Sequence, residues 1–413
     1  MNAPEIRVKG ERIEGDLAQL KEFNSGDTGI TRLSLGPEEE RAVKYLESGM
    51  KAAGLEVTRD PMGNVFARRA GAKDLPSVML GSHLDSVVEG GNFDGALGVV
   101  AALEVVRSLN DMGAETRRPV EIAIFRLEES AAFGKSCIGS RAFAGTLKPG
   151  DLDRLTNRDG TPLREALLAV GGDPDDLEGV IRDPASLDSF LELHIEQADN
   201  LDQKGIPVGI VTAIAAPTRF RIRIAGQAAH SGSMPMDRRR DALCAASEVV
   251  LAVERLAAAE NAETVGTVGS LTVDPGLMTV VPGRVELLVD IRDVDSSRKD
   301  RVAASLQEEV DEISARRGVT AEVDLTGKDE PVATSPRLVE TLADAAKARG
   351  VPCQKMHSAA AHDAAHVAGV AEAGMVFVRS YGGSHNPNEW ADMDDIVSAS
   401  EVLLEATLRL ARA

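Results

Sequence analysis

A change of rhythm in the middle of the chain constrains its fold more than any other feature. Residues 1–212 and 331–413 alternate apolar, strand-like runs with amphipathic helical segments, whereas residues 213–330 follow the order strand, helix, strand, strand, helix, strand. The first pattern indicates an α/β domain with a mostly parallel sheet, and the second is typical of a ferredoxin-like α+β unit. We therefore predict an α/β domain (1–212 and 331–413) that is interrupted by an inserted ferredoxin-like domain (213–330).

Apolar periodicity places the elements of both parts. In the α/β part we expect strands at Asn64–Arg68, Ser77–Leu80, Val120–Leu127 and Gly374–Val378, and helices at 38–54, 95–109, 336–349 and 393–412. In the inserted part we expect strands at Phe220–Ile224, 264–273, 284–292 and Val319–Leu325, and helices at Arg238–Ala259 and 296–317. The joins near 213 and 330 are candidate hinges, because few contacts cross a domain boundary.

Composition limits the classes of function. The 413 residues include 46 Lys and Arg against 66 Asp and Glu, a formal net charge of −20. This balance argues against a nucleic-acid partner, which is bound through clustered cations. No apolar run approaches the length of a membrane span, and no signal pattern opens the chain. We expect a soluble cytoplasmic protein without a membrane partner, in which Cys137, Cys244 and Cys353 are inert core residues.

Side chains of the metal-ligand type stand at or just after several predicted strand ends. They are His83 with Asp85, Asp94, the Glu128-Glu129 pair, His194 and His385. Sites of α/β sheets lie at the carboxyl ends of the strands, so these residues are expected to share one edge. Asp85 follows His83 by two residues and could orient its imidazole. Carboxylates and imidazoles without thiolates suit two divalent ions such as Zn²⁺ or Mn²⁺.

Each of these residues also has an ordinary structural interpretation. Asp94 could cap a helix, adjacent acids are usually solvated, and a lone His is more often hydrogen-bonded than metal-bound. The joint occurrence favours a metal site, because three of only seven histidines stand at such positions. We interpret His357 and His366 as structural and Arg238–Arg240 as a solvated run that opens a helix. His362 is left open between support of the ligands and a substrate contact.

Six segments carry a resemblance to a known family over about residues 10–410. They are GSHLDSVVEGGNFDGALGVVAALEV, the Glu128-Glu129 pair, LELHIEQ, GQAAHSGSMPMDRRRDA, VVPGRVELLVDIR and GGSHNPNEW. The chain resembles the amidase, hydantoinase/carbamoylase family of the dimetal aminoacylase/carboxypeptidase clan. This family includes N-carbamoyl-L-amino acid hydrolases, β-ureidopropionases, and allantoate and ureidoglycolate amidohydrolases. The resemblance implies a dimetal exopeptidase-like catalytic domain and an inserted domain that acts as lid and dimerisation domain.

The resemblance also implies a metal ligand set. It places His83, Asp94 and His194 around one ion, and Asp94, Glu129 and His385 around the other, with Asp94 bridging. Two divalent ions per subunit are implied, with Zn²⁺ as the first choice and Mn²⁺, Co²⁺ or Ni²⁺ as alternatives.

The same resemblance implies catalytic and substrate-binding residues. Glu128 resembles the general base, with Asp85 behind His83, and His230 resembles the residue that reaches the scissile carbonyl oxygen. Arg292 resembles the ligand of the substrate carboxylate and Gln197 a substrate contact. Thr279 stands where the family commonly has an asparagine next to that carboxylate. The implied assembly is a homodimer formed through the inserted domain.

The implied activity is hydrolysis of a linear C–N bond, chiefly removal of an N-carbamoyl group from an L-amino acid or a related ureido acid. Alternatives are an N-acyl-amino acid or dipeptide amidase, and an allantoate or ureidoglycolate amidohydrolase. A metal-binding interaction protein is a third class, although retention of Glu128 argues against it. Departures from the family pattern at Ala132, Thr279, Ala198-Asp199 and Ala359–Ala361 put the substrate in more doubt than the hydrolytic residues.

Overall fold

The computed structural model describes residues 7–413, which divide into two compact units. The larger unit comprises the chain up to Thr212 together with Ala333–Ser358 and His362–Ala413. The smaller unit comprises Ala213–Val332 and Ala359–Ala361. The roles predicted for the two domains, catalysis and dimerisation, are not decided by this division and stay predictions.

The secondary structure alternates helices and strands along most of the chain. The helices of the described residues are α1 (Gly10–Lys21), α2 (Pro37–Ala52), α3 (Ala96–Asp111), α4 (Ile138–Phe143), α5 (Asp151–Arg154), α6 (Leu163–Ala169), α7 (Asn200–Lys204), α8 (Ala242–Glu260), α9 (Ser296–Arg317), α10 (Pro336–Arg349), α11 (Asp363–Val367) and α12 (Met393–Arg412). The strands are β1 (Glu56–Arg59), β2 (Val65–Arg69), β3 (Ser77–His83), β4 (Val120–Phe125), β5 (Leu187–Ile195), β6 (Val208–Ile214), β7 (Ala216–Ala225), β8 (Ala229–His230), β9 (Val265–Asp274), β10 (Val280–Val281), β11 (Arg284–Asp293), β12 (Thr320–Lys328), β13 (Val332–Ala333), β14 (Cys353–Ser358) and β15 (Glu372–Val378).

A central sheet organises the larger unit, with strand order β1-β2-β4-β3-β5-β15-β6-β13 and β14 paired to β6. Its four middle strands, β4, β3, β5 and β15, are parallel to their neighbours in that group. Every residue of β3 and β4 is buried, as expected for strands covered on both faces. The predicted α/β class with a mostly parallel sheet is confirmed. The carboxyl ends of these strands share one edge.

Helix α3 packs closely against this sheet. All but three of its residues are buried, which explains a sequence that is apolar on nearly every side. A Cβ added at Gly98 would lie 2.2 Å from the carbonyl oxygen of Leu193 in β5, so glycine permits the close approach. The start of α3 is thereby held next to the ends of β3 and β5.

The smaller unit contains a four-stranded antiparallel sheet of order β12-β7-β11-β9. Helices α8 and α9 pack on one face of it, against alternate residues such as Ile222, Leu287 and Ile291. Along the chain the elements of this unit follow the order β7, α8, β9, β11, α9, β12. The short strands β8 and β10 are additions to this pattern. The opposite face of the sheet carries all the charged residues of β7 and β11 except the buried Asp293.

Two expectations need correction. The run Arg238–Arg240 does not open α8, which begins at Ala242 after Asp241, whose side chain accepts hydrogen bonds from the amides of Leu243 and Cys244. Arg239 donates to the carbonyls of Ser231 and Met234, so it is not merely solvated. The three cysteines were expected to be core residues. Only Cys137 is buried, whereas Cys244 is exposed and Cys353 is half-buried.

None of the helices in the described part of the chain is both long enough and apolar enough to cross a bilayer.

Candidate metal centre

His83 is the last residue of β3, and the main chain after it sets the orientation of its ring. Its Nδ1 lies 3.0 Å from the carbonyl oxygen of Asp85 and 3.5 Å from the Asp85 carboxylate. The ring is therefore oriented mainly by the backbone of Asp85, whereas the sequence suggested its side chain. A carbonyl oxygen can accept a hydrogen bond but cannot donate one. Nδ1 therefore carries the proton, and Nε2 is left as the ligand atom.

The Asp85 carboxylate is buried and serves another purpose. It accepts hydrogen bonds from Ser34 Oγ at 2.5 Å, from the Glu129 amide at 2.8 Å and from the Glu128 amide at 3.3 Å. Burial opposes ionisation, but the contacts with His83 and Ser34 outweigh it and keep the pKa of Asp85 below its ordinary value. Asp85 therefore fixes the backbone of the Glu128-Glu129 pair relative to β3.

Asp94 lies directly before α3, but it does not cap that helix. The N-cap residue is Gly95, with φ of 62°, and no side chain makes a capping hydrogen bond there. The Asp94 carboxylate instead points to two groups of ligand atoms. Its Oδ1 lies 3.2 Å from His194 Nε2 and 3.5 Å from His83 Nε2, while its Oδ2 lies 3.6 Å from His385 Nε2. The capping alternative for Asp94 is therefore wrong.

His194 stands near the end of β5 and repeats the arrangement of His83. Its Nδ1 lies 2.9 Å from the carbonyl oxygen of Ile195, so Nε2 is again the available ligand atom. Glu192, His194 and His362 could also form a group of metal ligands. In His194, however, Nδ1 is held by the Ile195 carbonyl and Nε2 faces Asp94. We therefore assign His194 to the group with His83 and Asp94, and His362 lies behind it with the two rings 4.6 Å apart.

The acidic pair follows β4 after a short turn. The strand ends at Phe125, two residues earlier than predicted, and Leu127 turns the chain with φ of 63°. Glu129 Oε1 lies 3.2 Å from His385 Nε2. Glu128 Oε2 lies 3.7 Å from His83 Nε2, and its Oε1 accepts a hydrogen bond from the Cys137 thiol at 3.1 Å. Burial, with the neighbouring charges of Glu129 and Asp363, raises the pKa of Glu128 well above its ordinary value.

The loop after β15 closes the centre. His385 has φ of 59° and a side chain that is 49% exposed, unlike the buried His83 and His194. Ser384 Oγ lies 2.5 Å from Asp94 Oδ2 and 2.6 Å from Glu389 Oε2. Glu389 Oε1 accepts hydrogen bonds from the amides of Phe93 and Asp94 at 2.9 and 3.0 Å. Glu389 therefore holds the backbone that carries Asp94.

Gln197, predicted to contact the substrate, donates from Nε2 to Asp94 Oδ2 at 2.7 Å. A substrate contact of this side chain stays a prediction. The sequence pattern predicts no role for Ser34, Ser384 or Glu389. Glu389 is nevertheless recognisable as a candidate, because it is an acid four residues after His385 in the segment GGSHNPNEW.

The spacing of these atoms fits divalent metal ions. Four ligands at 2.0–2.1 Å from a tetrahedral Zn²⁺ are separated from one another by about 3.3 Å. The nitrogen–oxygen distances around Asp94 are 3.2 to 3.6 Å, longer than good hydrogen bonds and close to that separation. Two groups share Asp94, the first with His83 and His194 and the second with Glu129 and His385. Buried carboxylates that face each other also need a cation to offset their repulsion.

His230, Thr279 and Arg292 belong to the smaller unit. His230 Nδ1 accepts hydrogen bonds from the amides of Gly232 and Ser233, which leaves the proton of a neutral ring on Nε2. Val280 pairs with His230, and the carbonyl of Thr279 accepts from Ser231. Arg292 is ion-paired with Asp290 at 2.9 Å. The roles of these three residues toward a substrate stay predictions.

Comparison with known proteins places this arrangement in a family. The family model of peptidase family M20/M25/M40 matches residues 79–409. An N-carbamoyl-L-amino acid amidohydrolase of Geobacillus stearothermophilus is 40% identical over 408 residues, which are 98% of this chain and 99% of that protein. A ureidoglycolate hydrolase of Arabidopsis thaliana is 34% identical over 411 residues, covering 97% of this chain and 86% of that protein.

A solved structure of similar fold comes from Burkholderia multivorans, an amidase of the hydantoinase/carbamoylase family. It superposes with a TM-score of 0.88 at 36% identity and covers 99% of this chain and 100% of that one. These matches confirm the resemblance to that amidase family. They extend over both units of the chain. The protein, with its paired groups of metal-ligand side chains, thus belongs to peptidase family M20/M25/M40, a family of metal-dependent hydrolases.

Proposed function

We propose that this enzyme is a dinuclear metal amidohydrolase that removes the N-carbamoyl group from an L-amino acid or a related ureido acid. The observation that carries the proposal is the position of Asp94, whose two carboxylate oxygens face two separate groups of ligand atoms. The names of the relatives from Geobacillus stearothermophilus and Arabidopsis thaliana support a carbamoyl or ureido substrate.

His83, Asp94 and His194 would hold one ion, and Asp94, Glu129 and His385 the other. We propose Zn²⁺ for both positions, with Mn²⁺, Co²⁺ and Ni²⁺ as alternatives. Bound there, the ions would polarise the carbonyl of the scissile bond and make water nucleophilic at neutral pH.

Glu128 is the proposed general base. It takes a proton from the attacking water and delivers it to the leaving nitrogen, so that an N-carbamoyl substrate yields an amino acid, CO₂ and ammonia. Its buried position suits this task, because burial raises the pKa of the carboxyl group and makes its carboxylate a stronger base than that of an exposed glutamate. Asp85 holds its backbone in place through the amide of Glu128.

The smaller unit would supply the contacts that recognise the substrate. His230 carries its proton on Nε2, which suits donation to the developing oxyanion. Arg292 would bind the substrate carboxylate through a charge-assisted, bidentate hydrogen bond. Thr279, shorter than asparagine and without an amide, would alter the preference next to that carboxylate.

We also propose that the smaller unit joins two copies into a homodimer. Its strand β9 lies at an edge of the sheet, is ten residues long and exposes Val265 and Leu271. An exposed, apolar edge strand is a template for pairing with another chain. The larger unit would then carry the metals, while the smaller one acts as lid and dimerisation domain.

A substrate panel tests the activity. Protein stripped of metal, and the same protein reloaded with Zn²⁺, Mn²⁺, Co²⁺ or Ni²⁺, is assayed against N-carbamoyl-, N-acetyl- and N-benzoyl-L-amino acids, dipeptides, allantoate and ureidoglycolate. We expect metal-dependent ammonia release from the N-carbamoyl substrates. Turnover confined to acyl substrates or dipeptides would replace the carbamoyl assignment by an amidase, and turnover confined to allantoate or ureidoglycolate by a ureide hydrolase. Full activity of the metal-free protein would contradict the dinuclear centre.

A further inference from the structure

The open face of the smaller unit's sheet carries a group of charged residues that alternate with the core residues of β7 and β11. Ile222, Ile224, Leu287 and Ile291 point toward the helices, so Arg219, Arg223, Asp290 and Arg292 lie on the other face. Asp290 pairs with Arg219 across the two strands, and Arg292 follows Asp290 by two residues on the same face. The strand register therefore brings the side chains of Arg219, Asp290 and Arg292 together, whichever rotamers they adopt.

The contacts show how Arg292 is oriented. Its Nε donates to Asp290 Oδ1 at 2.9 Å and its Nη2 to Asp290 Oδ2 at 3.2 Å. A guanidinium group has two edges that can bind a carboxylate in this bidentate way. Asp290 occupies the edge formed by Nε and Nη2. In the described part of the chain no acceptor is bonded to Nη1, so the edge formed by Nη1 and Nη2 remains available for a second carboxylate.

Arg219 adds the charge that such a carboxylate needs. Its Nε donates to Asp290 Oδ2 at 2.9 Å, so one aspartate lies between two guanidinium groups. Without Arg219, Asp290 would cancel the charge of Arg292. With it, the group of three carries a net charge of +1. The side chains are between one quarter and one third exposed, so the charges are only partly screened by water.

Arg223 lies on the same strand and the same face as Arg219 and can be compared with it. It is paired with Glu286 at 3.1 Å, Glu322 at 3.2 Å and Asp324 at 2.7 Å. Arg221, on the same face, lies 3.7 Å from Glu286, so three carboxylates surround two guanidinium groups and leave a net negative charge, which does not attract an anion. The excess of positive charge is therefore a property of the Arg292 end of the face.

We propose that Asp290 and Arg219 are positioning residues for substrate recognition: Asp290 holds Arg292 with its Nη1/Nη2 edge outward, and Arg219 offsets the charge of Asp290 so that Arg292 can bind the carboxylate of the substrate. This inference rests on the proposed function, in which Arg292 binds that carboxylate.

The experiment compares kcat and KM for an N-carbamoyl-L-amino acid and for its neutral carboxamide. Arg219→Gln should raise KM for the acid about 10-fold with kcat nearly unchanged. The substitution weakens the contact of Arg292 with the substrate carboxylate, and a contact that contributes to binding alone affects KM. KM for the carboxamide should not change. Arg219→Lys keeps the charge and should restore most of the loss. Arg223→Gln is the matched control and should leave both KM values as they are.

Asp290→Ala separates positioning from charge. The substitution makes the face more positive, so a purely electrostatic role predicts a lower KM for the acid. Loss of the hydrogen bonds from Arg292 to Asp290 predicts a higher KM for the acid. We expect this KM to rise by at least several-fold at unchanged Tm. A lower KM would overturn the positioning role.

Arg292→Ala distinguishes this inference from the proposal beneath it. If Arg292→Ala affects acid and carboxamide equally, the assignment of Arg292 itself is wrong. If Arg292→Ala weakens only the acid while Arg219→Gln and Asp290→Ala act like Arg223→Gln, only the positioning inference is wrong.

Discussion

Asp94 shows at the scale of single residues how the centre is held together. Its carboxylate is contacted by His83, His194 and His385 on the ligand side and by Gln197 and Ser384 as hydrogen-bond donors. Burial opposes ionisation, but His194 and His83 hold the pKa of Asp94 well below its ordinary value. A carboxylate that is ionised and restrained from several sides is suited to bridge two cations.

Glu128→Gln tests the base at this scale. The amide keeps the shape of the side chain but cannot accept a proton from water, so kcat should fall by about 10²–10⁴. Metal content should stay at the wild-type level, because Glu128 is outside both ligand groups. His83→Ala is the contrasting variant and should lose metal. Wild-type turnover of Glu128→Gln would show that another group carries the proton.

The ligand residues could be predicted from the sequence, and their supporting residues could not. His83 and His194 stand at strand ends and Glu129 follows one closely, and such positions converge in any parallel sheet. Ser34 and Glu389 act through hydrogen bonds to a carboxylate or to backbone amides that are distant in sequence. Their residue types are common in loops, so only the folded chain identifies the groups that they contact. Ala132, one of the departures from the family pattern, is buried in an apolar cluster with Leu127 and Ile138.

At the scale of elements, the start of α3 determines how close Asp94 comes to the histidines. Gly95 adopts φ of 62°, and a Cβ added there would lie 2.3 Å from His83 Cε1. The tight turn lets the helix begin directly behind the ring of His83. Glycine is needed at this position for both reasons, the backbone conformation and the absence of a side chain.

Gly95→Ala should therefore displace His83 and reduce metal binding and activity strongly. Gly113→Ala is the matched control, because Gly113 has φ of 58° but no atom within 4 Å of the added Cβ. Both variants should lose about 1 kcal/mol or more of stability from the backbone strain. Only Gly95→Ala should lose metal, as measured by metal analysis of the purified protein. Equal metal content in both variants would contradict the proposed constraint.

Glu89 joins two loops near the centre. Its carboxylate accepts hydrogen bonds from the Thr28 hydroxyl and from the amides of Asp27, Thr28 and Gly29, which lower its pKa to about 2. Since the pKa is lower in the folded protein, the contribution to stability is present above the ordinary glutamate pKa of about 4.3 and lost as pH falls toward 2.

Hydrogen exchange of the Asp27–Gly29 amides, corrected for intrinsic rates, measures this contribution. Protection should decrease in the wild type as pH falls from about 4.5 to 2. Glu89→Gln should show weaker protection at pH 6 and little further change over that range. Identical profiles of the two proteins would mean that the carboxylate does not hold the loop.

At the scale of the whole molecule, the proposed dimer raises the question of which subunit supplies His230. We predict that the histidine of one subunit serves the metals of its partner, and the alternative is service within the same subunit. His83→Ala subunits, which lack metal, and His230→Ala subunits would each be inactive as homodimers. Mixed dimers would contain one complete site.

Mixing the two variants should therefore recover activity. Random re-association makes about half of the dimers mixed, each with one of two sites working, so recovery should approach about one quarter of wild type. Differently tagged subunits allow mixed dimers to be isolated and counted. Verified mixed dimers without activity would place His230 in the same subunit as the metals it serves.

The sequence by itself determined the α/β class, the position of the interrupting β-α-β-β-α-β segment and the places of the candidate ligand residues at or after strand ends. These properties depend on apolar periodicity and on the convergence of parallel strand ends, both of which are local or generic. Only the tertiary structure decided that the Asp94 carboxylate faces two groups of candidate ligand atoms rather than capping α3, that backbone carbonyls orient His83 and His194, and that Asp290 lies between Arg219 and Arg292. Those arrangements depend on distances between residues far apart in the chain, which side-chain type and spacing do not specify.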